Sequence, residues 1–142
     1  MAGRNGNAQW VGDLQSGTGT VMVGDGVFEG SYTFKSRFEE GPGTNPEQLI
    51  AAAHAACFSM ALANILASAG HTAESVHTTA NVQLRNVDGA PTLTRIDLDT
   101  EGSVPGIDAA QFQKFAEDAK ANCPISRALA GIPEIVLTAK LG

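Results

Sequence analysis

The chain has 142 residues and a formal net charge of −6, from 9 Lys and Arg against 15 Asp and Glu. At 43% hydrophobic residues it fits a single globular domain over residues 1–142, large enough to build a core without disulfides or structural metals. Binding to nucleic acid needs clustered cations, and those of this acidic chain are scattered, so no nucleic-acid partner is expected.

The N-terminal segment has no basic stretch followed by an apolar run, so we expect no signal peptide and a cytoplasmic location. The longest apolar stretch runs from Leu49 to Ala67, long enough in principle to span a bilayer. His54, Ser59 and Asn64 interrupt it, and most of its apolar residues are alanines. We therefore expect this segment to be buried in the protein or its oligomer, and we expect no membrane partner.

The residues before Thr44 have the pattern of antiparallel strands. Apolar and polar positions alternate in the clearest strand, whose one face carries Phe28, Gly30, Tyr32 and Phe34. Glycine-rich breaks at 17–19 and 24–26 indicate two shorter strands before it.

A long helix is predicted from about Pro46 to Ala69. Thr44 is its expected cap, proline suits its first turn, and Glu47 follows three residues after the threonine. Gly70 is the expected stop.

The second half of the chain predicts two strands joined by a hairpin turn at Asp88-Gly89, the second of them over Leu93 to Val104. Asp108 can cap a helix that ends near Asn122 and whose inward stripe is Phe112, Phe115, Ala116 and Ala119. Pro124 fits the start of a short helix through Leu129, and the alternating tail predicts a last strand. The fold class is therefore α+β, with antiparallel sheets and two main helices in the order βββ-α-ββ-α-β.

The two cysteines, Cys57 and Cys123, are either core fillers or a redox pair. Cys123 precedes Pro124 and is expected at the N-cap of the short helix, where free N–H groups lower a thiol pKa. Cys57 lies in the middle of the long helix, where burial raises the thiol pKa, so it needs a cation such as Arg37 from the loop before the helix. From local sequence alone, Cys123 is the better nucleophile.

A metal site is not predicted, although His54 and Cys57 have the i, i+3 spacing that could present two ligands, with His71 and His77 as additions. The chain has no C-x-x-C or H-x-x-x-H, and histidine bonded inside the core is the simpler interpretation of His54. G-x-S-x-G, P-loop and dinucleotide-binding motifs are also absent.

Two motifs resemble the osmotically inducible protein C family, whose relatives are the organic hydroperoxide resistance proteins. The first runs from Arg37 to Leu62, RFEEGPGTNPEQLIAAAHAACFSMAL, and the second from Cys123 to Leu129, CPISRAL. The resemblance covers essentially the full length of the chain. It implies an OsmC-like fold and an intertwined homodimer.

The resemblance also implies a function, that of a cysteine peroxidase that reduces organic hydroperoxides in stress defence without metal or bound cofactor. Cys57 looks like the peroxidatic cysteine, which becomes a sulfenic acid, and Cys123 like the resolving cysteine, which condenses with it into a disulfide. Arg37 looks like the partner of the thiolate, and Glu47 like the carboxylate that holds the arginine. An external dithiol, for which the family suggests a dihydrolipoyl protein, is the implied reductant.

These roles reverse the local ranking of the two cysteines, because Arg37 must then supply the charge that a position in the middle of a helix lacks. We expect an apolar wall that favours alkyl hydroperoxides over hydrogen peroxide, formed by Phe38, Phe58 and Met60.

Spacing along the helix predicts a second chain. Glu47 and Cys57 lie ten residues apart, about 15 Å along the helix axis, too far for both to meet one arginine. If Arg37, Glu47 and Cys57 share a site, Glu47 comes from another chain than Cys57. We therefore expect a homodimer with each site at the interface.

Two other function classes stay open at this point. One is a module that binds a small molecule or metal while its cysteines are inert, and the other is a structural stress protein of which only the dimer core matters. Stoichiometric zinc would favour the first, and unchanged activity in Cys57→Ser the second.

Overall fold

The computed structural model describes all 142 residues. The chain divides into two compact units, Met1–Leu49 and Ile50–Gly142. A single domain over residues 1–142 stays a prediction.

The first unit contains a three-stranded antiparallel sheet in the order β1-β2-β3. Its strands are β1 (Gly6–Val11), β2 (Thr18–Val23) and β3 (Phe28–Tyr32). Trp10 of β1 and Tyr32 of β3 flank the middle strand with ring centroids 5.4 Å apart. The three predicted strands are confirmed.

A short helix that the sequence analysis missed follows this sheet: α1 (Phe34–Phe38). Thr33 caps it, since the threonine hydroxyl accepts from the Ser36 N–H at 3.1 Å and the Ser36 hydroxyl accepts from the Thr33 N–H at 2.8 Å. This reciprocal cap turns the chain out of the strand. The predictions that Phe34 extends the strand and that Arg37 lies in a loop are therefore wrong.

The long helix is α2 (Pro46–Ser68), which begins in the first unit and continues from Ile50 in the second. Its cap is Asn45, whose side-chain oxygen accepts from the Gln48 N–H at 2.8 Å. The predicted cap, Thr44, instead donates its hydroxyl to the Gln48 side chain at 3.2 Å. Both residues suit a cap, and the tertiary structure selects the asparagine. By length and composition alone α2 could cross a membrane, a test that core helices of soluble proteins also pass.

The second unit contains a mixed sheet in the order β4-β5-β6. The strands β4 (Ser75–Val87) and β5 (Ala90–Ser103) are antiparallel, joined by the predicted Asp88-Gly89 turn. The last strand, β6 (Glu134–Leu141), runs parallel to β5. The prediction of purely antiparallel sheets is wrong here, because α3 (Ala109–Asn122) and α4 (Pro124–Ala128) form a crossover that returns the chain in the same direction.

One hydrophobic core fills the second unit. Its fully buried members come from α2, β5 and α3, together with Cys123: Phe58, Leu62, Leu66, Ile96, Leu98, Phe112, Ala116 and Ala119. The predicted inward stripe of α3 is confirmed, with Phe115 only partly buried. On the other side of α2, a stripe at helical spacing is exposed in the single chain, namely Ala53, Ala56, Met60, Asn64 and Ala67.

The packing of α3 against β5 predicts the effect of a single methyl group. A Cβ added at Gly102 would lie 2.6 Å from the ring of Phe112, whose side chain is buried. Because the core cannot absorb this overlap without shifting, we expect Gly102→Ala to lower the free energy of unfolding by about 1–3 kcal/mol. Urea denaturation at fixed protein concentration measures it. The matched control is Gly131→Ala, where a Cβ meets no atom within 4 Å. Equal midpoints for the two variants would contradict the packing described here.

Candidate active site

Arg37 and Glu47, ten positions apart in sequence, form an ion pair in the first unit. Arg37 Nε and Nη2 donate to the same oxygen, Glu47 Oε1, at 3.2 and 2.9 Å. The arginine side chain keeps 37% of its surface exposed and the glutamate 10%. The guanidinium carbon lies 5.3 Å from the centroid of the Phe38 ring. One end of the guanidinium is thus anchored while the group as a whole stays available to an outside anion.

Hydrogen bonds between side chains and the backbone hold together the two segments that carry Arg37 and Glu47. Asn45 donates its side-chain NH₂ to the Ser36 carbonyl at 2.8 Å while its oxygen caps α2, so one residue ties α1 to α2. The Ser36 hydroxyl donates to the Thr44 carbonyl at 2.8 Å. Gly43 has φ +110° against the Ser31 carbonyl, a conformation that favours glycine. These hydrogen bonds of Asn45 and Ser36 could not be read from the sequence, although Thr33 and Ser36 have the spacing of a capping pair.

The second carboxylate oxygen of Glu47 is buried and has no hydrogen-bond partner in the single chain. A buried carboxylate oxygen usually accepts at least one hydrogen bond. The pair therefore retains an acceptor on Glu47 beside the donors of Arg37.

An aromatic cleft of about 420 Å³ opens beside the guanidinium in the first unit. Its principal lining side chains are Trp10, Leu14, Tyr32, Phe34, Arg37 and Phe38. Of the predicted apolar wall, only Phe38 lies in this cleft. Phe58 has no exposed surface and belongs to the core of the second unit, so its prediction as a wall residue is wrong. Met60 is 77% exposed on α2.

The two cysteines lie together in the second unit, both as free thiols. Cys123 caps the start of α4 and has no exposed surface, whereas Cys57 on α2 is half-buried and packs against the same core. Burial raises the pKa of Cys57, and so does its hydrogen bond with Cys123. Burial opposes ionisation of Cys123 as well, but hydrogen bonds from Cys57 and from the backbone and side chain of Ser126 lower its pKa. In the single chain the two pKa shifts thus have the directions expected from local sequence, while the choice of the attacking cysteine stays a prediction.

A buried hydrogen bond lies next to these thiols. His54 Nε2 and the Ser126 hydroxyl are 2.7 Å apart, and both residues are buried. Nδ1 of His54 has no partner. Burial lowers the pKa of His54. The sequence predicted that His54 is hydrogen-bonded inside the core, but it gave no indication that Ser126 is the partner.

No group of three or more His, Cys, Asp or Glu side chains lies close enough to hold a metal ion. His54, moreover, uses Nε2 for the serine. The zinc interpretation of His54 and Cys57 therefore lacks a third ligand in this chain.

Comparison with known proteins gives consistent matches. The family model described as OsmC-like protein matches residues 39–138. Peroxiredoxin OsmC of Escherichia coli (strain K12) is 50% identical over 127 residues, which cover 89% of each chain. An organic hydroperoxide resistance protein of Xanthomonas axonopodis pv. citri is 34% identical over 69% of this chain and 68% of its own length. The crystal structure of an organic hydroperoxide resistance protein from Elizabethkingia anophelis superposes with a TM-score of 0.75 at 27% identity, covering 99% of both chains.

The burial of His54 predicts how stability depends on pH. A histidine with a lowered pKa in the folded state binds its proton more readily when the chain is unfolded, so stability falls as the pH drops below the unfolded value of about 6.5. The slope for one proton is at most about 1.4 kcal/mol per pH unit. We expect His54→Gln to flatten the profile between about pH 7.5 and 5, measured by urea denaturation. His77→Gln, at an exposed position on β4, is the control. A flattening in the control but not in His54→Gln would contradict this assignment.

Proposed function

Because the chain belongs to the OsmC-like protein family, we propose that it is a thiol-dependent peroxidase that reduces organic hydroperoxides to alcohols and serves in stress defence. The single observation that carries the proposal is the adjacency of two free thiols in one unit, Cys57 on α2 and Cys123 at the residue before α4. A peroxidase that passes through a disulfide needs two thiols in this arrangement. The names of the relatives, peroxiredoxin and organic hydroperoxide resistance protein, support the substrate class.

Exposure supports Cys57 as the attacking residue. Cys123 has no exposed surface, so only the half-buried Cys57 offers its sulfur to a substrate. The Cys57 thiolate attacks the outer oxygen of the hydroperoxide, the O–O bond breaks, and the alkoxide takes a proton to leave as the alcohol. Cys123 then displaces hydroxide from the sulfenic acid and forms the disulfide. Early closure of this disulfide protects Cys57 from further oxidation.

A cation must offset the raised pKa of Cys57, and we assign this role to Arg37 of a second copy. Arg37 is bound to Glu47 of its own chain, and Glu47 lies about 15 Å along α2 from the Cys57 of that chain. A guanidinium so anchored would reach the thiolate of the partner copy in a homodimer, as the spacing argument predicts. There it would lower the pKa of Cys57 and donate to the departing alkoxide.

The exposed stripe of α2 supports such a homodimer. It runs along the helix as Ala53, Ala56, Met60, Asn64 and Ala67, and a helix face so poor in charge is typically covered. Small side chains let two helices approach closely. An intertwined dimer of this kind would bury the whole stripe. Met60 would then lie near the reacting groups rather than in solvent.

We place the organic group of the hydroperoxide in the aromatic cleft next to Arg37. Its walls are Trp10, Tyr32 and Phe38, so an aryl or alkyl group would bury apolar surface there. Hydrogen peroxide gains nothing from such a wall. The reductant is a dithiol, for which we propose a dihydrolipoyl protein, and the setting is cytoplasmic.

Turnover with dithiothreitol tests the roles of the thiols. We expect the wild type to reduce cumene hydroperoxide with a higher kcat/KM than hydrogen peroxide, since the cleft binds only the former. We expect Cys57→Ser to lose all turnover, because no nucleophile remains. Cys123→Ser should still consume one equivalent and stop, or use the small dithiol directly. If Cys123→Ser were the dead variant, the attacking residue would be misassigned. An inactive wild type with stoichiometric zinc would support a binding module instead.

Coexpression tests the two-chain site. We expect Arg37→Ala and Cys57→Ser each to be inactive as homodimers. In a mixed dimer, one site recovers Cys57 from one chain and Arg37 from the other, so random mixing should restore about a quarter of the wild-type activity. Coexpression of Arg37→Ala with Glu47→Gln is the control. Arg37 and Glu47 of a site come from the same chain, so every site of this mixed dimer still lacks one of the two, and no activity should return. No recovery in the first pair, or a monomer by light scattering at micromolar concentration, would exclude this arrangement.

A further inference from the structure

The resolving cysteine has a hydrogen-bonded neighbour set that the proposed reaction does not yet use. Ser126 lies one turn after Cys123, at the third position of α4, and hydrogen bonding from its N–H and side chain lowers the pKa of the Cys123 thiol. The Ser126 hydroxyl lies 2.7 Å from Nε2 of His54 on α2. Ser126 therefore bonds to His54 at the start of α4, one turn from the thiol that begins this helix.

We propose that Ser126 and His54 form a proton relay that takes the thiol proton of Cys123 when Cys123 attacks the sulfenic acid on Cys57. Ser126 contacts the reacting sulfur, and His54 acts through Ser126 as a positioning residue. The inference rests on the proposed peroxidase function, since it assigns a role within that reaction.

His54 is suited to receive a proton from one direction only. Its side chain has no exposed surface, and its Nδ1 has no hydrogen-bond partner. Its only partner is Ser126, so a proton that reaches Nε2 leaves again only through that hydroxyl. Burial lowers the pKa of the imidazole and so favours its neutral form. In the tautomer that carries the proton on Nδ1, Nε2 accepts from the serine hydroxyl.

Ser126 also has contact with solvent that His54 lacks. It lines a cleft of about 490 Å³, which opens between α4 and the start of β6. The charged side chains on the walls of this cleft are Lys120, Arg127 and Glu134. The ionisable groups that interact with Ser126 inside the unit are His54 and Cys123. Water in this cleft can exchange protons with the serine hydroxyl.

The resolving step then balances as follows. The Cys123 sulfur forms the S–S bond while the S–O bond of the Cys57 sulfenic acid breaks, so the Cys57 sulfur is reduced and the Cys123 sulfur oxidised. The Cys123 proton passes to the serine oxygen as the serine proton passes to His54 Nε2. His54 then gives the proton back through Ser126 to water in the cleft, and the departing hydroxide takes a proton from solvent and leaves as water, so that the step forms one disulfide and one water. When a dithiol later reduces the disulfide, the Cys123 thiolate takes a proton through Ser126, and the dithiol gives up its protons as its own sulfurs are oxidised.

Single-turnover kinetics separate this relay from the peroxide-cleaving step. Reduced protein is mixed with one equivalent of cumene hydroperoxide, quenched at set times with an alkylating reagent, and analysed by intact mass, which distinguishes thiol, sulfenic acid and disulfide. In Ser126→Ala and His54→Gln we expect the disulfide-forming phase to slow about tenfold or more at neutral pH. The sulfenic acid phase should stay within about twofold of wild type. The matched control is Thr100→Val, which removes a hydroxyl that is equally buried but bonds to Thr78 and the His77 carbonyl.

A second measurement covers the case of an unstable variant. In the Cys57→Ser background, ultraviolet thiolate absorbance reports the titration of Cys123 alone, and Ser126→Ala should raise that pKa by about one unit because a donor to the thiolate is lost. An unchanged second phase in both variants, or equal slowing of both phases, would overturn the relay. A wild type that forms no sulfenic acid on Cys57 would instead overturn the proposed function, so the two failures can be told apart.

Discussion

The contact between α2 and the beginning of α4 is the constraint on which the chemistry of this chain depends. It brings together two thiols that lie 66 positions apart in sequence, one from the middle of a helix and one from the residue before a helix. The surrounding core fixes this contact, because Phe58 and Leu62 follow Cys57 on α2 and α3 delivers Cys123 at its end. The core, and not any pairing along the chain, therefore holds the two thiols next to each other.

The two thiols influence each other's ionisation, because the hydrogen bond between them raises the pKa of Cys57 and lowers that of Cys123. Within one chain, hydrogen bonding favours the buried Cys123 as the anion and disfavours Cys57. Substrate access favours the opposite assignment, since of the two only Cys57 is partly exposed. The guanidinium proposed to come from a second copy would resolve this conflict, and Arg37 has the anchored but half-exposed geometry for that role. The proposed relay of Ser126 and His54 would serve the other half of the reaction, in which Cys123 would be the nucleophile.

Several features could be predicted from sequence because they depend on neighbouring residues. Asp108 and the Asp88-Gly89 turn set a helix start and a hairpin through backbone geometry alone, and both are confirmed. The helix α1 escaped prediction because its first residues, Phe34 and Lys35, continue the apolar-polar alternation of β3. Only the reciprocal hydrogen bonds of Thr33 and Ser36 show that the strand ends and a helix begins. The parallel pairing of β6 could not be predicted, since an alternating strand fits either direction and the crossover decides.

The sequence by itself determined every element except α1, together with the two cysteine motifs and their resemblance to one family, because periodicity, caps and motifs are local properties. Only the tertiary structure decided which groups meet. It buried Phe58 where a wall residue was predicted, gave Asn45 the cap expected of Thr44, and paired His54 with Ser126. These outcomes depend on which surfaces pack together over long separations in sequence. No pattern along the chain shows which side chains are buried or which hydrogen bonds form, since both are decided only when the helices and strands pack together.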